Sequence, residues 1–100
     1  MEDLKVIWSA RSLKDLDSAY DLLAEHSRQA ANLIVETILE RVAQIEKFPE
    51  SGPLEPSLIH RKKEHRYLLS GHHKIIYRIE KQTALIIRVF DTRQNPNKLK

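Results

Sequence analysis

The fold turns on the stretch Arg66-Tyr67-Leu68-Leu69-Ser70-Gly71-His72-His73-Lys74-Ile75-Ile76-Tyr77-Arg78-Ile79-Glu80-Lys81-Gln82-Thr83-Ala84-Leu85-Ile86-Ile87-Arg88-Val89-Phe90-Asp91. It contains three runs rich in β-branched and aromatic residues: 66–69, 74–79 and 85–90. Such residues fit a pleated, half-buried surface. Ser70-Gly71 and Glu80-Lys81-Gln82 punctuate the runs at hairpin spacing, so the reading is an antiparallel three-strand meander. Which parity faces a core stays open, because a one-residue slip in register inverts it.

Upstream the period changes. Leu4-Lys5-Val6-Ile7-Trp8 reads as a short strand that stops at Ser9, a fitting helix N-cap. Ala10, Leu13, Leu16, Tyr20 and Leu23 then recur at spacings of three and four. They predict an amphipathic helix with Arg11, Lys14, Asp15, Asp17 and Asp21 on its wet side. Ser27 caps a second helix, whose stripe is Ala31, Ile34, Ile38, Val42 and Ile45, widened by Ala30, Val35 and Leu39. Phe48-Pro49 ends it, since the residue before proline avoids the α region. The short link between the helices predicts an antiparallel hairpin. Pro49, Ser51, Gly52, Pro53 and Pro56 make 49–57 a stiff, extended loop. The order β-α-α-β-β-β implies an α+β fold: a helical hairpin on one face of a four-stranded, mainly antiparallel sheet. The first strand is expected beside the last, with the other sheet face open. The whole chain, 1–100, reads as one domain, with 96–100 a frayed tail.

Charge is unevenly distributed. Residues 1–48 carry nine acids and six bases, a net of −3; residues 49–100 carry five acids and eleven bases, a net of +6, together the formal +3 of the chain. Four of five histidines (His60, His65, His72, His73) share the basic half. That asymmetry points to an anionic partner, against the plainer reading that basic residues solubilise strand edges. With no cysteine there is no disulfide framework or thiolate metal site. Zinc spacing among the histidines is lacking, no phosphate loop or G-x-S-x-G occurs, and no cofactor is implied. No apolar run approaches the ~20 residues of a membrane span, and the N-terminus lacks a signal-peptide plan, so the expectation is a soluble cytoplasmic protein.

The ordered set of pieces resembles the RelE/ParE superfamily, toxins and plasmid-stabilisation proteins of bacterial type II toxin–antitoxin systems. Val6-Ile7-Trp8-Ser9-Ala10 with Asp15-Leu16, Ala30-Ala31, Phe48-Pro49 with Gly52, Arg66-Tyr67-Leu68-Leu69, Lys74-Ile75-Ile76-Tyr77-Arg78-Ile79 and Arg88-Val89-Phe90-Asp91-Thr92-Arg93-Gln94-Asn95-Pro96 carry the resemblance over nearly the whole chain. The Phe48-Pro49 loop, the Ile-Ile-Tyr-Arg strand and the closing Arg-Gln-Asn-Pro are more similar to ParE-like than to RelE-like members. The resemblance implies a cognate antitoxin as partner. For a ParE-like chain it further implies inhibition of DNA gyrase by binding, and for a RelE-like chain cleavage of messenger RNA on the ribosome. A third reading is a degenerate, non-toxic member that only binds antitoxin.

Metal-free RNA cleavage needs a base, a cation at the phosphate and an acid for the leaving oxygen. The resemblance places Lys74 and Arg93 at the phosphate and His65 near the nuclease's basic pair; no tyrosine follows Tyr77 to match the family's C-terminal one. These three are the catalytic candidates if the chain is a nuclease. The candidates for binding target or antitoxin are Arg66, Lys74, Arg78, Arg88 and Arg93. Arg61-Lys62-Lys63 reads as a solvated charge run, His72-His73 as polar turn residues, and Trp8 and Tyr77 as core.

Overall fold

The computed structural model describes residues 4–94. Strand β1 (Lys5–Trp8) leads into helices α1 (Ala10–Ala24) and α2 (Arg28–Lys47), followed by strands β2 (Arg66–Ser70), β3 (His73–Glu80) and β4 (Thr83–Asp91). The α+β fold is as expected: the helix pair packs on one face of a four-stranded sheet of order β1-β4-β3-β2. β1 lies parallel to β4, and the β2–β3–β4 meander is antiparallel. The expected tail, 96–100, lies outside the described residues.

Both serine caps form. Ser9 Oγ accepts from Ser12 N at 3.0 Å, and Ser27 Oγ from Ala30 N at 3.1 Å. Each satisfies one of the N–H groups a helix start leaves unpaired. The α2 stripe is as read: Ile38, Val42 and Ile45 enter the core against Leu68, Ile75, Tyr77, Ala84, Ile86 and Val89. The parity is irregular for a visible reason. Tyr77 pairs with Ile86 but Ile76 pairs with Arg88, so Ile87 is an extra residue in β4. This bulge lets Ala84, Ile86 and Val89 all face the helices despite spacings of two and three.

The α1 stripe is rotated from the expectation. Ala10 and Leu13 are exposed, while Ser12 is buried and Asp15 is largely covered. The cause is the edge of β4. β1 pairs only with Thr83–Ile86, so the rest of that edge needs other partners. Ser9 N donates to Ile86 O, Ser9 Oγ donates to Ile87 O at 3.0 Å, and Asp15 Oδ2 accepts from Val89 N at 3.0 Å. The start of α1 thus continues the sheet edge with side chains where β1 stops.

Residues 49–57 are not simply extended. Pro49–Gly52 turn back on Tyr77, Leu54 bridges Arg66, and Pro56–Leu58 form one 3₁₀ turn. Tyr77, wholly buried, donates its phenol to Pro49 O at 2.7 Å and accepts from Gly52 N at 3.2 Å. A Cβ at Gly52 would lie 2.4 Å from Tyr67 O and 2.7 Å from Tyr77 Oη. Gly52→Ala is therefore expected to cost about 3 kcal/mol, the upper part of the overpacking range, read as a lowered midpoint in urea unfolding. An unchanged midpoint would mean the loop is not seated on Tyr77.

The sheet face away from the helices is not open as expected. Segment 54–65 straps across it. Glu55 N donates to His65 O at 2.7 Å and Tyr67 N to Pro53 O at 3.0 Å. Ile76, whose parity points away from the helices, is fully buried, as is nearly all of Leu58 in the strap. Among the described residues no helix is long and apolar enough to cross a membrane.

Candidate functional site

Strand alternation brings Lys74 and Arg78 to the strapped face, four residues apart on β3. Lys74 donates from Nζ to both oxygens of Glu55, at 2.6 and 3.2 Å, and sits 4.5 Å from the Tyr67 ring centroid. Glu55 is 1% exposed. No reading of the sequence singled it out, because a lone acid in a proline-rich loop looks solvated. Arg78 Nε lies 3.2 Å from Glu80 Oε1 as an ion pair without an aligned hydrogen bond. Lys63 reaches the same carboxylate from the strap, and this contact draws the Glu80 pKa below its usual range.

His65 closes the strap. It is 8% exposed, and its Nδ1 lies 3.0 Å from Lys63 O. Burial lowers its pKa, the carbonyl contact works against that, and Arg78 and Arg61 lower it further. Arg61, Lys62, Lys63, His65 and Arg78 line one cavity of about 400 Å³ whose floor is Leu58 and Ile87. Two of the sequence candidates, His65 and Arg78, thus meet the charge run 61–63. Arg61 and Lys62 are exposed and, among the described residues, form no ion pair.

The remaining candidates lie elsewhere. Arg66 donates to Gly52 O at 2.8 Å and stands 3.5 Å from Glu64, on the loop that holds Tyr77. Arg88 turns to α1, pairing with Asp15 at 2.7 and 3.3 Å, and lies 5.8 Å from the Phe90 ring centroid. Arg93 follows β4 and grips Asp91 with two bonds, at 3.0 and 2.8 Å. That contact holds the Asp91 carboxyl down to about 2. Arg93, His72 and His73 line a second cavity, of about 240 Å³, between α1 and the ends of β3 and β4. His73 is not a turn residue but the buried first residue of β3, 7% exposed, with Nδ1 unpartnered. The three nuclease candidates are therefore divided: Lys74 on a buried acid, His65 under the strap, Arg93 at the end of β4.

Burial lowers the pKa of His73 as it does that of His65; Asp91 opposes it and Arg93 and His72 reinforce it. A histidine with a depressed folded pKa favours folding most when neutral. The contribution is complete above the unfolded value, about 6.5, and is lost as pH falls from there through the folded values. Urea stability is expected to drop between pH 7.5 and 5.5, with a smaller drop in His65→Gln and His73→Gln. Equal slopes in wild type and both variants would contradict this account.

Comparison with known proteins places this geometry. Residues 6–96 match the model of the ParE toxin of the type II toxin–antitoxin system parDE. The chain belongs to the ParE toxin family. Its fold is similar to that in the structure of the chromosomal ParDE toxin–antitoxin system from P. aeruginosa, with TM-score 0.74 and 21% identity over 88% of this chain and 95% of that one. It is also similar, less closely, to the structure of the YoeB dimer from Staphylococcus aureus, with TM-score 0.55 and 15% identity over 87% of this chain and 94% of that one. Among curated protein sequences nothing matches. As a ParE-family chain it is the toxin of a type II toxin–antitoxin pair, with a cognate antitoxin as partner.

Proposed function

We propose that this ParE-family toxin inhibits DNA gyrase by binding, in the cytoplasm, and that the strapped basic face is its working surface. The observation that carries the reading is the state of the cations. Lys74 is engaged with Glu55, and Arg93 with Asp91, within the chain. A phosphate-cleaving site needs cations and an acid–base pair converging on one point. Here Lys74 is tied to an acid too buried to reach a substrate hydroxyl, and its neighbour Tyr67 has that cation over its ring. What remains outward is charge arranged for contact: Arg61 and Lys62, beside the Glu80-paired Lys63, around an apolar floor. The antitoxin would neutralise the toxin by covering part of this surface.

The test is induced expression with DNA damage and translation followed in parallel. Gyrase inhibition predicts a DNA-damage response while translation continues. Early arrest of translation with cut messages would instead support the ribosome-dependent nuclease, and unchanged growth the non-toxic antitoxin binder.

A further inference from the structure

The cavity between strap and sheet has features that select its occupant. It lies in the ~300–1,000 Å³ range of ligand clefts, at about 400 Å³. Its rim carries Arg61, Lys62, Lys63 and Arg78, and the acid that serves Lys63 and Arg78 is the single carboxylate of Glu80. Its floor is aliphatic, Leu58 and Ile87; no Phe, Tyr or Trp lines it, and its one ring, the imidazole of His65, belongs to a residue only 8% exposed. A nucleic-acid strand would meet phosphate-binding cations but no exposed ring face on which to stack a base. An extended peptide with acids flanking an aliphatic residue would meet both the rim and the floor.

We infer that this cavity docks an acidic peptide segment, an aliphatic side chain resting on Leu58 and Ile87 and neighbouring carboxylates meeting Arg61, Lys62, Lys63 and Arg78. The inference rests on reading the strapped face as the working surface, and it names the antitoxin segment that would cover it by chemistry. The strap is the receptor: Arg61 and Lys62 are exposed, so they are available without unfolding any packed element. Because the rim charges are solvent-facing, the attraction weakens as salt rises.

The test uses the full chain, isotope-labelled, titrated at low salt with a synthetic peptide in which glutamates flank a leucine pair. Expected are shifts at residues 58–65, 78 and 87, with affinity falling about tenfold or more in the Arg61→Glu/Lys62→Glu variant. The comparison is Lys14→Glu/Arg41→Glu, which changes net charge equally from exposed helix positions and is expected to leave binding near the wild-type level. Equal loss in both variants, or no binding at low salt, would overturn the proposal. So would a single-stranded oligonucleotide that binds the same residues more tightly than the peptide. Gyrase inhibition is measured separately: peptide binding without it would sink the gyrase reading alone, and gyrase inhibition without peptide binding would sink this inference alone.

Discussion

Lys74→Ala is expected to destabilise the protein by about 3–5 kcal/mol, the cost of leaving one half of a buried ion pair alone. Glu55 is 1% exposed, and Lys74 donates a hydrogen bond to each oxygen of its carboxylate. Without the ammonium, the carboxylate must stay charged in a site built around a cation, take up a proton, or drag the strap open to reach water. A domain of this size has only about 5–15 kcal/mol in hand, so a large part of the population would unfold on warming. Glu55→Gln should be far milder, because Lys74, 22% exposed at its side chain, can turn outward. In the Lys74→Ala background the same Glu55→Gln change should restore about half of the loss, by removing the stranded charge. Urea unfolding of the four proteins in this cycle measures the coupling. Near-zero coupling would mean that water reaches Glu55. The cycle also governs how toxicity data are read: a non-toxic Lys74→Ala strain would report folding before it reports contact with a target. Arg93, exposed and, among the described residues, paired with neighbouring Asp91 alone, is the more informative alanine substitution.

Asp15→Ala is expected to cost a similar amount, about 3–5 kcal/mol. Its carboxylate accepts from Arg88 Nε at 2.7 Å, from Arg88 Nη2 at 3.3 Å and from Val89 N at 3.0 Å, with 11% and 13% of the two side chains exposed. The loss combines an unpaired guanidinium with an orphaned strand N–H beyond the reach of β1. Arg88→Ala should be milder, since Asp15 keeps the Val89 bond and has Arg11 at 3.4 Å. Thermal melts would show the asymmetry, at roughly 4–8 °C per kcal/mol for a domain of this size. Equal shifts in the two variants would contradict the edge-capping role given to Asp15.

These two acids show where the sequence stops being legible. Ser9, Ser27 and the α2 stripe were readable because their partners are three or four residues away. Asp15 was not: periodicity assigns an acid to the wet side of a helix, and its partner lies in the last strand. A signal was present, since Ser12, Leu16, Ala19 and Leu23 make an alternative stripe that Asp15 adjoins. Glu55 had no such signal, because nothing local says that a loop will fold back over a sheet. Strand parity was hidden by the bulge at Ile87, which places Ile86 and Val89 on one face in defiance of alternation. The basic surplus of residues 49–100 was visible as charge, but not as pairing. Glu55, Glu80 and Asp91 engage Lys74, Lys63, Arg78 and Arg93, so Arg61 and Lys62, in the run that looked least specific, are left for a partner.

The most direct measurement is a supercoiling assay with purified gyrase, relaxed plasmid and this chain, folded as checked by circular dichroism. The binding account predicts that supercoiling falls, or cleaved DNA accumulates, as the chain is added, and that the cognate antitoxin reverses the effect. Full supercoiling at high chain concentration, alongside ribosome-dependent cuts in translated messages, would contradict it.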